Sequence, residues 1–445
     1  MGSSIIVEAI EIMLLAVVSP AIRCEWRLKD WQVALVSTMV FFGFVSFSAF
    51  MGYLADRYGR WKVVFGCFAW SLYFSFLTSF SPSYGWFVFL RTMVGGGVSG
   101  TAQGFVLQAE FIPAKYRGYL TPLSQIFWMC GSFFMVFLGM TVIPTLGWRW
   151  MIRLSIIPSI ILIILFKFIP ESARYNVSAG NVRGAMETLQ RIARMNRSSL
   201  PEGKLMESVT EKRGNFKSLL EPSFRRTSII LWNLWFIASF SYYGAVLGSS
   251  ELLERNLLCV TDSAPHTGVL HSDDTPCYCK PFGQSDYHTM LISTLGEVAL
   301  IPLNMILLNI CGRRFCLGFL MMSSGIFFLL LNICTTALGF TALFFILRAL
   351  VAMVFNTVYL YTAEVYPTTV RAIGMGFCTC FSRVGGMVAP FIAQVLMSKS
   401  VIVALCPFAV GSLLSAAGAL LLPIETRGRA LQVLSQCSTN AFTLT

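Results

Sequence analysis

The chain has 445 residues, 56% of them hydrophobic and only 12% charged, with a formal net charge of +12. A soluble globular chain carries about 25% charged and 45–50% apolar residues, so this one could not clothe itself in a water-compatible surface. A soluble enzyme, a disordered chain and a collagen-like fibre are excluded on that ground, and no basic stretch joined to an aromatic platform points to nucleic acid.

What remains is an all-α, polytopic membrane protein, because a lipid-embedded segment must pair every backbone amide within itself. The chain does not open on a secretory signal, since Met1–Ser4 has no basic residue and no small-residue cleavage site follows. Apolar runs at 5–22, 31–54, 63–80, 85–107, 119–142 and 151–169 predict six helices. Runs at 227–247, 287–309, 315–336, 339–361, 373–397 and 401–422 predict six more. The expected organisation is an N-terminal six-helix half over 5–169, a linker over 170–226, a C-terminal half over 227–422 and a tail over 423–445. The first run is the shortest fit. Its eighteen residues reach roughly 27 Å against a hydrocarbon thickness of about 30 Å, and it contains Glu8 and Glu11.

Lysine and arginine set the orientation. With both termini in the cytoplasm, the inner segments hold 22 of the 33 basic residues and the outer segments 7, the bias expected of cytoplasmic loops. The loop 248–286 then faces outward or into a vesicle lumen, with Cys259, Cys277 and Cys279, while Cys24 lies in the first outer loop. Four thiols in an oxidising compartment predict one or two disulfides. A Cys/His zinc site is the alternative, although Cys277 and Cys279 are too close for the usual structural spacing. The other nine cysteines read as small buried apolar residues.

The chain also repeats itself at an offset of 253–254 residues. Ala109-Glu110-Phe111-Ile112-Pro113 with Arg117 returns as Ala363-Glu364-Val365-Tyr366-Pro367 with Arg371. Gly59-Arg60 returns as Gly312-Arg313, and Pro170-Glu171 with Arg174 is echoed by Pro423, Glu425 and Arg427. Each pair falls at the cytoplasmic end of corresponding helices, which predicts two pseudo-equivalent halves about an axis normal to the membrane.

Gly52-Tyr-Leu-Ala-Asp-Arg-Tyr-Gly-Arg-Trp-Lys62 resembles the loop signature between the second and third helices of the major facilitator superfamily. Pro170-Glu-Ser-Ala-Arg-Tyr175 and Pro423-Ile-Glu-Thr-Arg-Gly428 resemble the signatures closing helices six and twelve of sugar porters and organic-ion transporters. Cys24-Glu-Trp-Arg-Leu28, Gly147-Trp-Arg-Trp150, Ser241-Tyr-Tyr-Gly244 and Ala389-Pro-Phe-Ile-Ala-Gln394 are similar to the synaptic-vesicle-2-related branch. The resemblance implies the twelve-helix major facilitator fold and carriage of a small solute by alternating access. It also implies a cytoplasmic gate in which Asp56, Arg57 and Arg60 hold the inner side shut. Glu110 with Arg117 and Glu364 with Arg371 would be latches there, joined by Arg174 and Arg427.

Charges inside spans are costly and default to function. Glu8 and Glu11, at i and i+3, can face one cavity; Glu297 and Arg383 lie about ten residues into helices eight and eleven. Arg383 is expected to take a substrate carboxylate, or to pair with Glu297 when the site is empty. By analogy with organic-ion transporters a basic residue here favours an anion. Desolvation makes Glu8, Glu11 and Glu297 candidates to carry a coupling proton, and Tyr242 and Tyr243 candidates to line the cavity. Arg91 with Gly95 and Gly97, and Arg348 in helix ten, read as packing residues. No catalytic constellation, metal site or cofactor motif stands out. The expected partners are a small organic solute, protons and the bilayer, for a monomeric carrier in a vesicle or plasma membrane. The rival expectation is a transporter-like protein that no longer transports and serves as a membrane interaction partner, which the short first helix would favour.

Overall fold

The computed structural model describes residues 3–101, 103, 104, 107, 111, 114–200, 219–255, 281–366 and 368–427. Of the expected gate, the side chains of Asp56, Arg117, Arg174 and Arg371 and the whole of Glu110 lie outside the described residues, as do Cys259, Cys277 and Cys279.

The first half is built from α1 (Ser3–Trp26), α2 (Asp30–Tyr58), α3 (Arg60–Thr78), α4 (Tyr84–Val98), α5 (Ala114–Leu146) and α6 (Trp148–Phe166). Two short helices follow, α7 (Ala173–Ser178) and α8 (Val182–Met195). The second half holds α9 (Pro222–Glu254), α10 (Gln284–Ala299), α11 (Ile301–Cys311), α12 (Arg313–Leu330), α13 (Ala337–Val365), α14 (Thr368–Pro390) and α15 (Val401–Leu420). Among the described residues eleven segments are long and apolar enough to cross a membrane, with α10 and α11 counted as one. The described part of α4 is fifteen residues long, below that length; counted with it, the described segments match the twelve runs read from the sequence.

The first helix is longer than the apolar run read from the sequence. It runs for 24 residues, about 36 Å at 1.5 Å per residue, because the helix continues through Pro20 to Trp26 rather than stopping at the first polar residues. Its span is also the most enclosed, with 78% of its apolar window buried.

The two halves repeat one packing scheme. In the first half α1 packs on α5, α2 on α4, and α3 on α6; in the second the counterparts α9 on α14, α10 on α13, and α12 on α15 do the same. Between halves α2 packs on α14 and α5 on α10, two contacts that exchange under the same two-fold, and α1 meets α9. Small residues permit the closest crossings: a Cβ on Gly43 would lie 2.1 Å from the Thr92 carbonyl oxygen, and one on Gly95 2.0 Å from that of Val40. Gly97 is likewise pressed against Ser71 of α3. Large apolar side chains such as Phe168, Leu414 and Ile310 stand 65%, 70% and 65% exposed around the outside, which is stable only against acyl chains.

Two spans are irregular. The eighth breaks at Leu300, where Pro302 cannot donate to the preceding turn. The eleventh passes from α14 through Pro390 into a π-helical turn, Phe391–Leu396.

The cysteines depart partly from expectation. Cys24 is disulfide-bonded, and so is Cys334, which the sequence placed among the buried apolar thiols; its position at the helix end beyond Leu330 puts it on the same side as Cys24. Cys130, Cys311 and Cys380 are free and exposed, whereas Cys67, Cys316 and Cys378 are free and buried.

Candidate functional site

Charged side chains occur in three layers along the bundle axis. The ends of the bundle are named here for Gly59 and Arg23. The Gly59 end is organised by backbone capping. Gly59 and Gly312 precede α3 and α12 with φ of 108° and 80°, a conformation that only glycine adopts without strain. The turn leaves the first amides of each helix unpaired, and a carboxylate from the far end of the same half fills each gap. Both oxygens of Glu171 accept from the Trp61 amide at 3.2 Å. Glu425 accepts from the Arg313 and Arg314 amides at 2.9 and 3.1 Å. Partial burial pushes the Glu425 carboxyl upward, but the amides of Arg313, Arg314, Arg427 and Thr426 outweigh it and hold it below its ordinary value. Negative charge at a helix N-terminus is favourable in any case.

The sequence quoted both glutamates in its repeats but gave their neighbours Arg174 and Arg427 the gating role. The structure puts Arg427 on the Ile310 carbonyl at 2.6 Å, where it caps the end of α11. Glu364, expected to latch with Arg371, takes Arg313 through two hydrogen bonds of 3.1 Å and the Thr426 hydroxyl at 2.6 Å. Arg57 donates to the Tyr53 hydroxyl at 3.3 Å and gives its carbonyl to Tyr175, while Arg60 is engaged as well. The described contacts at this end stay within one half. Replacing Glu425 by glutamine is expected to cost stability only where the carboxylate is ionised. Its contribution is complete above the unfolded carboxyl value of about 4.3 and fades as pH falls through the lower folded value. The difference in melting temperature between Glu425→Gln and the unaltered chain, measured from pH 7 down to pH 3.5, checks this; a constant difference refutes it.

At mid-depth the structure re-pairs the intramembrane charges. Arg383 of α14 meets Glu8 of α1 at 2.7 Å, not Glu297 as expected, and donates to the Tyr243 hydroxyl at 3.2 Å. Its guanidinium lies 3.7 Å over the Phe44 ring, and Thr101 donates to the other Glu8 oxygen at 3.0 Å. Glu8 and Arg383 are each 12% exposed. Glu297 instead pairs with Arg348 at 2.6 Å, because α10 packs closely on α13. Tyr242 donates to Glu297 at 2.8 Å, and Trp128 of α5 donates to the Tyr242 oxygen at 2.6 Å. Glu11 pairs with Arg91 at 2.8 Å, and Arg91 also donates to Ser75 at 3.2 Å. Arg91 and Arg348, read from sequence as packing residues, are thus fully buried partners of carboxylates. Nothing in the sequence separates Trp128 from the other nine tryptophans.

The Arg23 end holds a cluster that the sequence did not reveal. Arg23 of α1, 1% exposed, meets Glu251 at 3.0 Å and Glu254 at 2.8 Å, both on α9 and buried. Asp30 of α2 lies 3.8 Å from Arg23 and pairs with Arg255, which also pairs with Glu251. These ion pairs join the first half to the second. The signal was available: two bases and three acids occur at the facing ends of helices one, two and seven, but they read as loop residues. Together with Arg383–Glu8 and a hydrogen bond of 2.9 Å from Thr38 to the Met387 carbonyl, they tie the halves together from mid-depth to the Arg23 end. Among the described residues, the side-chain ties between the halves thus lie at mid-depth and at the Arg23 end, which they hold closed.

Comparison with known proteins agrees with this architecture. The family described as "Sugar (and other) transporter" matches residues 15–270. The protein SVOPL of Danio rerio is 68% identical over 432 residues, covering 97% of this chain and 85% of that one. The synaptic vesicle 2-related protein of Rattus norvegicus is 39% identical over 433 residues, covering 97% and 78%. The solved xylose transporter XylE from E. coli, in a partially occluded inward open conformation, superimposes with a TM-score of 0.69 at 15% identity, covering 97% of this chain and 98% of its own.

Proposed function

The chain belongs to the sugar (and other) transporter family of the major facilitator superfamily, and from that premise we propose that it carries a small organic anion by alternating access, with Arg383 as the anchor for the solute's carboxylate. The observation that carries the reading is the Arg383–Glu8 pair of 2.7 Å, which joins the two halves at mid-depth. An unpaired buried guanidinium costs several kcal/mol, so Arg383 needs an anion in every state. A solute carboxylate that takes the place of Glu8 keeps that need satisfied and cuts a tie between the halves. The exchange is close to balanced, and that balance lets the solute leave again. The Tyr243 hydroxyl and the Phe44 ring flank the same guanidinium.

The basic bias of the loops supports placing the Gly59 end in the cytoplasm, which makes the sealed Arg23 end face outside or a vesicle lumen. Asp56, Glu110 and Arg117 are then the residues that would form the inner gate when the Gly59 end closes, with Glu364 already engaged by Arg313.

Glu11, held by Arg91 at 2.8 Å and 4% exposed, is the candidate proton carrier, since protonation would free Arg91 for a new partner. In proteoliposomes, Glu11→Gln is expected to abolish accumulation driven by a pH gradient while leaving exchange of labelled for unlabelled solute intact. Accumulation that persists in this variant removes the proton role from Glu11. The transport reading itself is tested by an uptake screen of radiolabelled carboxylates, sugars and organic cations with the purified full chain. Uptake of carboxylates that Arg383→Ala loses is the expected result; uptake confined to cations overturns it.

A further inference from the structure

Gln394 sits in the π-helical turn Phe391–Leu396. It is 0% exposed, and neither its Nε2 nor its Oε1 has a hydrogen-bond partner. A buried amide left unsatisfied pays its full desolvation cost, so it is rare and calls for a reason. π-Turns are rare interruptions of helices and occur frequently at functional sites.

The surroundings supply the reason. The turn packs against α2 of the first half and against α9 and α15 of the second, so it lies on the seam where the halves meet. Across that seam Ser37 of α2 is 1% exposed, and its hydroxyl is also without a partner. Gln394 stands eleven residues beyond Arg383, about 16 Å toward the Arg23 end at 1.5 Å per residue. Met397, in the turn that follows, has its Cε 3.3 Å from where a Cβ on Gly248 would lie, one helical turn before Glu251. Gln394 therefore falls between the mid-depth anchor and the ion cluster, in the part of the seam that must part if the Arg23 end is to open.

We propose that Gln394 is a solute-binding residue of the vestibule formed when the Arg23 end opens, hydrogen-bonding a neutral hydroxyl or amide group of a solute on its way to Arg383. The proposal rests on the alternating-access reading. A carboxamide donates and accepts at once and carries no charge, so it selects hydroxyl or amide groups and is indifferent to a carboxylate. Combined with a guanidinium deeper in the path, it favours hydroxylated carboxylates over bare ones. In the sealed state its unsatisfied amide disfavours closure, and a solute that satisfies it stabilises the open vestibule.

The test uses the full chain and two probes, D-glucuronate, which has hydroxyls, and adipate, which has none. Gln394→Leu keeps the volume and removes the orphan amide, so its melting temperature should match or exceed that of the unaltered chain. For uptake from the Arg23 side, KM for D-glucuronate is expected to rise about tenfold, the factor that 1.4 kcal/mol of lost hydrogen bonding produces, with adipate unchanged. An unchanged D-glucuronate KM, or equal rises for both probes, overturns the proposal. A second arm does not depend on transport. The thiol introduced by Gln394→Cys is exposed to a membrane-impermeant thiosulfonate from the Arg23 side, with labelling read on the peptide carrying residue 394. Labelling should be negligible with the ion cluster intact and rise at least tenfold when Arg23→Gln and Glu254→Gln neutralise it, and D-glucuronate should slow it. A thiol that stays unreactive in that background, or reacts without protection, refutes the site. Protected labelling with no uptake of either probe would instead sink the transport reading and leave the site standing.

Discussion

Replacing Arg23 by alanine is expected to open the Arg23 end and to destabilise the sealed bundle by about 3–5 kcal/mol, the usual cost of stripping one partner from a buried ion pair. The size follows from what the substitution leaves behind. Glu251 and Glu254 are 1% and 2% exposed, and of the two guanidiniums in the cluster only Arg255 would remain to face three carboxylates. Neither glutamate can rehydrate without parting α1 from α9, so the cheapest relaxation is separation of the halves. The expected readouts are a lowered melting temperature and faster modification, from the Arg23 side, of thiols placed along the α2–α14 seam. Adding Glu254→Gln should recover part of the stability by removing one stranded charge. A double-mutant cycle between Arg23 and Glu251 should return an interaction of about 1.5 kcal/mol or more, as close charge pairs do. A value under about 0.5 kcal/mol, typical of exposed pairs, would mean that the cluster does not hold the halves together.

The second large effect is expected at Arg383. Arg383→Ala should lower uptake of carboxylate solutes at least a hundredfold, because it removes the guanidinium and its two anchors, Glu8 and the Tyr243 hydroxyl, lose their common partner. Arg383→Lys should recover little, since a point charge cannot bond Glu8 and Tyr243 together while lying flat on Phe44. Glu8→Gln should behave differently: it weakens the tie between halves without removing the anchor, so KM for the anion should fall while kcat falls with it, as release slows. Equal losses from Arg383→Ala for charged and uncharged solutes would reduce Arg383 to a structural link.

The sequence revealed the fold well because membrane spans answer to one overriding requirement, the pairing of every backbone amide in hydrocarbon. The repeat at 253–254 residues went further and anticipated the matching positions of Gly59 with Gly312 and Glu171 with Glu425. Glu11, Glu297 and Arg383 were also identifiable as charges that needed partners. The partners themselves were not legible. Arg383 was assigned to Glu297 because both lie about ten residues into their spans, but depth fixes only one coordinate, and helix neighbours fix the other two. The α10–α13 contact directs Glu297 to Arg348 and leaves Arg383 to α1. The Arg23 cluster could not be assembled from the sequence for a related reason. Its members come from three chain segments, and a charge at a helix end looks like loop decoration until its opposite number is brought within 3 Å.

The two carboxylate caps bear on how this protein should look in solution to an isotope probe. Glu171 fastens the last part of the first half to the start of α3, and Glu425 does the same for the second half and α12. Each half is thereby closed into a loop on itself, and the rocking proposed above would not need to loosen it. The amides of Trp61, Arg313 and Arg314 should exchange slowly with deuterium whichever way the carrier faces, while the amides of the π-turn around Gln394 should change their exchange rate with every cycle.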